Sequence, residues 1–235
     1  MNRNGLIGLF AAGWIAVFPS IACADEVPQT ALYTFQAELD AAGKLTVVTP
    51  ARDASDETTL QLQHELQKWV FTPTQNGGVH ASTVTFIRVN AIPASSEGGA
   101  RIISATAGPA PETLRKPVYP VAAKMRGDKG VLVLELDMDA QGQVKAVVVN
   151  DMVGKISRRM AESAIAAAHS WTFRPEQVNG IAKAGRLLMP VCFVHDAAPE
   201  ACAWVGPDGQ ALGRDSLVAL DPAIRINKPI ALADN

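Results

Sequence analysis

Two cysteines ten residues apart offer the clearest chemistry in this chain of 235 residues. Cys192 and Cys202 bracket the stretch CFVHDAAPEAC, and the third cysteine, Cys23, lies in an apolar N-terminal region. If that region is removed during export, an even pair remains, and an oxidising compartment favours a disulfide between the two. Two other uses of the pair stay open: unpaired thiols, or a zinc site completed by His195 and Asp196.

Three carboxylates share one face of a predicted strand. Glu135, Asp137 and Asp139 alternate along it, so they could bind calcium, although the same pattern is typical of a solvated strand face. The sequence contains no P-loop, no G-x-G-x-x-G after a strand, no G-x-S-x-G and no H-E-x-x-H motif. We therefore expect no enzyme activity, no cofactor and no metal site.

The composition predicts packed cores and argues against nucleic-acid binding. Hydrophobic residues make up 48% of the chain, which is ample for burial. The formal net charge is -2, and we expect the Lys and Arg residues not to cluster. Nucleic acid is therefore not a predicted partner.

The first 24 residues have the pattern of a signal peptide. A positively charged start is followed by the uncharged apolar run 5–17, and small residues at 22–24 precede Asp25. We predict cleavage before Asp25 and a periplasmic location. The alternatives are an uncleaved inner-membrane anchor over residues 5–24, or a lipidated Cys23. Membrane contact is expected only in these two cases.

The second half of the chain has the pattern of a strand hairpin followed by a helix and a strand. Residues 130–151 hold two alternating apolar runs on either side of a turn at Gly142. Residues 158–171 repeat apolar positions at helical spacing, and residues 186–194 form the closing strand. The predicted unit is β-β-α-β, with the helix covering one face of the sheet.

The first half repeats this order, and WVFTPTQNGG at 69–78 echoes WTFRPEQVNG at 171–180. The predicted fold class is therefore α+β, with two β-β-α-β units, each a small antiparallel sheet with one covering helix. The predicted divisions are a signal peptide at 1–24, a first domain at 27–92, an exposed linker at 93–113, a second domain at 114–203 and a C-terminal extension at 204–235.

The C-terminal extension contains SLVALDPAIRI at residues 216–226, which has some strand character. It could be a mobile extension. We hypothesise instead that it occupies a sheet edge of one copy as an internal ligand.

The second unit resembles the C-terminal domain of the TonB family, periplasmic proteins that transduce energy to outer-membrane transporters. The resemblance runs from Lys116 to about Val194, beginning with KPVYPVAAKMRGDKG, and the first unit resembles a shortened relative without the Y-P segment. We expect the shared residues to build the fold rather than touch a partner: Pro117, Tyr119, Pro120, Gly127, Gly130, Gly142, Trp171, Phe173, Pro175, Asn179 and Gly180.

The resemblance implies a protein partner: an extended segment of an envelope or outer-membrane transport protein that adds to an exposed sheet edge as another strand. Pro190 in the last strand agrees with an edge position, because proline cannot donate to a ladder. The predicted partner-binding residues are Arg186, Leu187, Leu188, Met189, Val191 and Phe193.

This chain departs from the family in lacking a Pro-rich rod, so a force-transmitting role is not expected. The alternative function is a structural envelope protein that pairs its own sheet edges, with a homodimer as one form and no transport role.

Overall fold

The computed structural model describes residues 30–51, 56–73, 81–96, 98–194 and 202–227. The predicted signal peptide, His195, Asp196 and the last eight residues lie outside these ranges. The described residues form three helices and a set of strands that pair in antiparallel fashion. The predicted α+β class is confirmed.

The elements follow one another in three groups. The first group is β1 (Ala31–Leu39), β2 (Leu45–Pro50), α1 (Glu57–Leu66), β3 (Phe71–Pro73), β4 (Thr83–Ile92), β5 (Arg101–Gly108) and β6 (Ala110–Thr113). The second is α2 (Val121–Met125), β7 (Gly130–Met138), β8 (Val144–Gly154), α3 (Arg158–Ala168), β9 (Thr172–Arg174), β10 (Gln177–Val178), β11 (Ile181–Ala182) and β12 (Gly185–Phe193). The tail holds β13 (Trp204–Val205), β14 (Ala211–Leu212), β15 (Val218–Ala219) and β16 (Ile224–Ile226).

The first sheet is built around β1, which lies between β2 and β4. Helix α1 begins after Asp56, whose carboxylate accepts the backbone N–H of Thr59 at 3.0 Å and so satisfies a donor at the helix start. Leu62 and Leu66, four residues apart on one helix face, are buried with the inward side chains of the sheet.

The second sheet has the order β15-β12-β7-β8. Helix α3 packs against the core face of this sheet and buries Met160, Ala164 and Ala168 there. The β7–β8 turn contains Gly142 with φ +78°, and a Cβ atom there would lie 1.8 Å from the carbonyl oxygen of Phe173. Glycine is therefore required at this turn for two reasons, its left-handed backbone and its contact with the strand after α3.

The prediction of an exposed linker is wrong for residues 101–113. Strand β5 pairs with β4 along most of its length, and β6 pairs with β9 of the other half of the chain. The small residues that suggested a connection serve instead for close packing, because a Cβ atom at Gly108 would lie 2.6 Å from the Cβ of Ala219 in β15.

The tail pairs with strands of both halves of the chain. Strand β15 adds to β12, as the sequence hypothesis of an internal ligand expected, and β16 pairs with β3 of the first half. The β13–β14 hairpin covers the second face of β7 and β12 with the side chains of Trp204 and Leu212. The described part of the tail is thus integrated into the fold.

The two halves interlock by a reciprocal exchange. In the first half β5 adds to its own sheet and β6 then crosses to β9; in the tail β15 adds to the second sheet and β16 then crosses to β3. In addition, β10 and β11 join the first sheet through β4, so its six strands come from both halves. Two small sheets confined to their own units are therefore not what the structure contains.

Candidate partner-binding edge

The predicted edge strand β12 is only partly an edge. It pairs along its whole length with β7, and on its other side Leu187 and Leu188 face Ala219 and Val218 of β15. The backbone N–H of Leu220 also donates to the carbonyl oxygen of Arg186 at 2.9 Å. The prediction of a free edge is therefore wrong for residues 186–188, because a tail far along the sequence covers them.

The direction of the backbone groups identifies what remains open. The Arg186 carbonyl points toward β15, and groups alternate direction along a strand, so residues 188, 190 and 192 also point away from β7. Strand β15 ends opposite Leu187 and Leu188. Beyond it, Pro190 offers a carbonyl and no N–H on this side, and no strand of the described residues pairs with Pro190 or Cys192 there. The open segment is short and begins at a proline.

The side chains of the predicted edge residues are not available to a partner. Leu187, Met189, Val191 and Phe193 belong to the core under α3, and Leu188 belongs to the core under the β13–β14 hairpin. All five are at most 9% exposed. Only backbone groups of β12 can therefore recognise an added strand.

Arg186 is the exception, since its side chain is half exposed. Its Nε lies 3.1 Å from the Asp221 carboxylate, and its Nη1 lies 3.3 Å from Glu135. The hydrogen bond and charge of Asp221 raise the pKa of Arg186, so the guanidinium stays ionised. Arg186 thus ties β12 to the residues that follow β15.

The predicted disulfide is present. Cys192 and Cys202 are bonded with their Cα atoms 5.6 Å apart, which fastens the end of β12 to the start of the β13–β14 hairpin. The two sulfur atoms are therefore neither free thiols nor the thiolates that a zinc site would use. His195 and Asp196 lie outside the described residues.

The three carboxylates considered for calcium are not gathered into a site. Glu135 pairs with Arg186, and Asp139 lies 2.9 Å from Lys145 while its carboxylate also accepts two backbone N–H groups of the β7–β8 turn. The hydrogen bond from Lys145 is the main reason that the pKa of Asp139 is lowered. Within the described ranges, no three His, Cys, Asp or Glu residues are placed to hold a metal ion.

The residues of the Y-P segment organise the approach to β7. The Tyr119 hydroxyl donates to the carbonyl oxygen of Asp128, and its ring packs edge-on against Phe193 with centroids 5.3 Å apart. Asp128 is 1% exposed and lies 2.6 Å from Arg126 and 2.5 Å from Lys155. The Lys155 hydrogen bond, followed by the Arg126 contacts, lowers the pKa of Asp128 despite its burial.

The W-x-F segment after α3 points into the core, as expected of structural residues. Trp171 and Phe173 are 3% and 1% exposed, and the indole N–H of Trp171 donates to the carbonyl oxygen of Arg115 at 2.8 Å. Asn179 and Gly180 both have positive φ and form the β10–β11 turn. The remaining shared residues lie in the connections around these elements; Pro117 and Pro120 flank Tyr119, Gly127 follows α2, Gly130 opens β7 and Pro175 follows β9.

Sequence reasoning missed two buried charged residues between the halves. Glu176 is 3% exposed and accepts hydrogen bonds from Thr85 and Ala223. Arg88 is 4% exposed and donates to the carbonyl oxygen of Asp215, and its burial lowers its pKa to about 10. No local pattern marks either residue, because the partners of both come from distant strands and from the tail.

One sequence signal could have exposed the interlocking. Pro109 lies between β5 and β6 and is followed by Ala110, the first residue of β6, and Pro222-Ala223 lies between β15 and β16. Both dipeptides sit where the chain leaves one sheet and crosses to the strand after the other helix. The similarity between the two halves of the sequence therefore extends beyond the W-x-F-x-P echo.

Another edge of the second sheet is open. Strand β8 pairs with β7 on one side and with no other strand of the described residues. It is 11 residues long and exposes Val148, Val149, Met152 and Val153 by 38–59%. Its pairing with β7 shifts register twice, which bends the strand and makes the edge less regular than a flat template.

None of the helices formed by the described residues has the length and apolar character needed to cross a bilayer.

The region that contains β12 is similar to a known protein family. Residues 115–194 match the family model described as Gram-negative bacterial TonB protein C-terminal. A protein named Protein TonB from Xanthomonas campestris pv. campestris (strain B100) is 37% identical over 82 residues, which cover 35% of this chain and 36% of that protein. A Protein TonB from Vibrio cholerae serotype O1 is 32% identical over 79 residues, covering 33% of this chain and 31% of that protein.

The resemblance predicted from the spaced residues is confirmed for this region. The chain spans about a third of the length of the curated relatives it matches. Strands β1 to β6 and the tail lie outside the family match.

Proposed function

We propose that this protein acts in the periplasm as a TonB-like binding protein, in which β12 binds an extended segment of an envelope or outer-membrane transport protein by strand addition. The observation that carries the proposal is the outer side of β12 beyond β15, where the Pro190 carbonyl and the Cys192 backbone face away from β7. An added strand needs backbone partners of this kind and no side-chain pocket.

The proposal gives β15 a defined part. It pairs with β12 at only two positions, which is a weak ladder compared with the nine positions shared by β12 and β7. A partner segment could add beyond β15, or it could extend over Arg186 and Leu188 by displacing β15. Affinity then depends on how easily the tail leaves the edge.

The periplasmic location rests on three supports: the signal-like first 24 residues, the Cys192–Cys202 disulfide and the match to a Gram-negative periplasmic family. Cleavage before Asp25 is part of the proposal. Intact mass spectrometry of the protein isolated from cells tests it, since retention of the first residues in a membrane fraction would favour the anchored alternative.

We also infer that the two halves are degenerate copies of one β-β-α-β unit. The shared strand orders, β2-β1-β4 and β8-β7-β12, support this, as does the position of the helix between the second and last of these strands. The first copy stands where the family has its rod, so we propose adaptor binding rather than force transmission.

Strand addition is tested with a peptide array of periplasm-facing segments of outer-membrane transporters, followed by titration of the hits in low and high salt. The affinity of a true hit should change little with salt, because backbone pairing supplies it. Two N-methylated forms of each peptide are compared, one methylated at its odd-numbered amides and one at its even-numbered amides. One form should bind about 10-fold or more weakly and the other hardly more weakly than the unmodified peptide, because only alternate amides face β12. An equal loss of affinity for the two methylated forms would contradict strand addition.

The open β8 edge supports a second candidate, a self-associating envelope protein. Its exposed valines and unpaired backbone are the features by which sheets of two molecules join. Sedimentation equilibrium separates the candidates: a dimer without peptide affinity supports self-association, and a monomer that binds hits from the array supports the adaptor.

A further inference from the structure

A basic and apolar face lies at the entrance to the second unit. Residues 114–130 contain five basic residues and one acidic residue, a formal charge of +4 within a chain whose net charge is -2. The expectation that Lys and Arg do not cluster is therefore wrong for this segment. The rest of the chain carries a negative balance, so the positive charge is concentrated in this segment of the sequence.

Contacts bring further basic residues to the same place. The Ser163 hydroxyl in α3 donates to the carbonyl oxygen of Val118 at 2.7 Å, and the backbone N–H of Lys155 donates to the carbonyl oxygen of Lys129 at 2.8 Å. The segment therefore lies against α3 at Ser163, and the first residues of this helix are Arg158 and Arg159. We call residues 115–129 with Lys155, Arg158 and Arg159 the basic-apolar face.

The acidic residues nearby do little to reduce its positive potential. Asp128 is almost fully buried between Arg126 and Lys155, so it faces those two side chains rather than solvent. Glu162 in α3 pairs with Arg158 at 2.8 Å. Lys116, Lys124 and Lys129 are exposed and form none of the ion pairs found among the described residues.

Three aliphatic side chains project from the centre of this face. Val118, Val121 and Met125 are 75%, 72% and 83% exposed, more than the edge residues of β8. Val121 and Met125 are four residues apart in α2 and so share one side of that helix. Side chains this exposed stand out from the surface and do not line a groove.

We propose that the basic-apolar face binds the surface of an anionic lipid bilayer, with Val118, Val121 and Met125 inserted between headgroups. Lys and Arg near an anionic membrane each contribute about 1 kcal/mol of attraction, and apolar side chains add to this when they enter the interface. An acidic protein segment would also meet the charges, but a convex group of protruding aliphatic tips fits a penetrable interface better than a second folded surface.

This contact differs from the membrane contact expected of the N-terminal segment, because it requires neither a retained anchor nor lipidation of Cys23. The residues that would contact lipid are not those of β12, so this proposal and the proposed function can be tested separately.

Vesicle co-sedimentation tests the proposal, with protein whose N-terminus has been established by intact mass. The probes are phosphatidylcholine vesicles with and without about 30% phosphatidylglycerol. We expect binding only to the anionic vesicles, with affinity falling about 5-fold or more on raising the salt from about 0.1 M to about 0.5 M. Equal binding to neutral vesicles, or no binding to either, would overturn the proposal.

Matched variants locate the contact. V121S/M125S and K116Q/K124Q should each weaken anionic-vesicle binding about 5-fold or more, because one removes insertion and the other attraction. Val70 and Ile181 are 68% and 73% exposed elsewhere, so V70S/I181S is the control for loss of surface apolar area. An equal loss in the control would place the contact elsewhere, including the N-terminal segment. Salt-sensitive binding to poly-glutamate without vesicle binding would assign the face to an acidic protein.

Discussion

Glu176 accepts a hydrogen bond from the Thr85 hydroxyl at 2.5 Å, although 91 positions separate the two residues in the chain. The other carboxylate oxygen accepts the backbone N–H of Ala223 at 2.9 Å. One buried side chain therefore joins β4, the connection after β9 and the crossing point of the tail. Burial raises the pKa of Glu176, because it disfavours the charged carboxylate more than these hydrogen bonds favour it.

The raised pKa of Glu176 predicts a pH-dependent contribution to stability. The folded chain holds this proton more tightly than the unfolded chain, so the contribution is present below the usual carboxyl pKa of 4.5 and is lost as pH rises through the folded value. We expect the free energy of unfolding of E176Q, relative to wild type, to increase from about pH 4 to about pH 7. Urea unfolding at a series of pH values measures it.

The control for this series is E162Q, since Glu162 is half exposed and pairs only with Arg158 in the described structure. The difference in free energy of unfolding between E162Q and wild type should not show the increase with pH that is expected for E176Q. A flat difference between E176Q and wild type over the same range would show that Glu176 titrates no differently in the folded and unfolded chains.

Removal of one hydrogen bond in the tail should open β12 selectively. L220P deletes the N–H that donates to Arg186, and we expect the amide of Leu188 to exchange about 10-fold faster because it faces the loosened β15. The amides of Leu187 and Met189 face β7 and should keep their protection. Exchange measured by NMR gives the result for each residue.

The same variant bears on peptide capture. If β15 competes with the partner segment, L220P should bind the array hits more tightly than wild type does. Uniform loss of protection across β12 would indicate general destabilisation and would leave no role for β15 as a cover.

The disulfide should contribute to global stability. C192S/C202S removes a cross-link that closes a short loop, and the chain-entropy relation gives a loss of roughly 3 kcal/mol. Denaturant unfolding of both proteins with and without reductant measures it. Wild type should approach the variant on reduction, whereas the variant should be unaffected. A reductant-insensitive wild type would mean that the bond adds nothing to stability.

The turn at Gly142 should tolerate no side chain. G142A meets both a positive φ and the Phe173 carbonyl oxygen, so we expect a loss of more than about 2 kcal/mol. Gly180 has φ +75°, and a Cβ atom added there would meet nothing within 4 Å, so G180A isolates the backbone strain at about 1 kcal/mol. Thermal unfolding compares them, and equal losses would show that the Phe173 contact is unimportant.

Local sequence patterns predicted much of the fold. Apolar residues with a period of two predicted the β7–β8 hairpin, and those with a period of 3.6 predicted α3. Gly142 predicted the turn of that hairpin, and Asn179-Gly180 predicted a second turn. These signals work because each is written within about ten consecutive residues. The disulfide was predicted in another way, from the even pair of cysteines that remains if the N-terminal segment is removed during export.

The sequence by itself determined the β1–β2 and β7–β8 hairpins, helices α1 and α3, the disulfide pair and the relationship of residues 115–194 to a known family. Only the tertiary structure decided that β15 covers part of β12 and that Glu176 is buried between the halves. It also brought Lys155 and helix α3 beside residues 115–129. Strands of two to four residues are too short to show a period, and their pairing is set by which distant surfaces remain open once the larger sheets have formed.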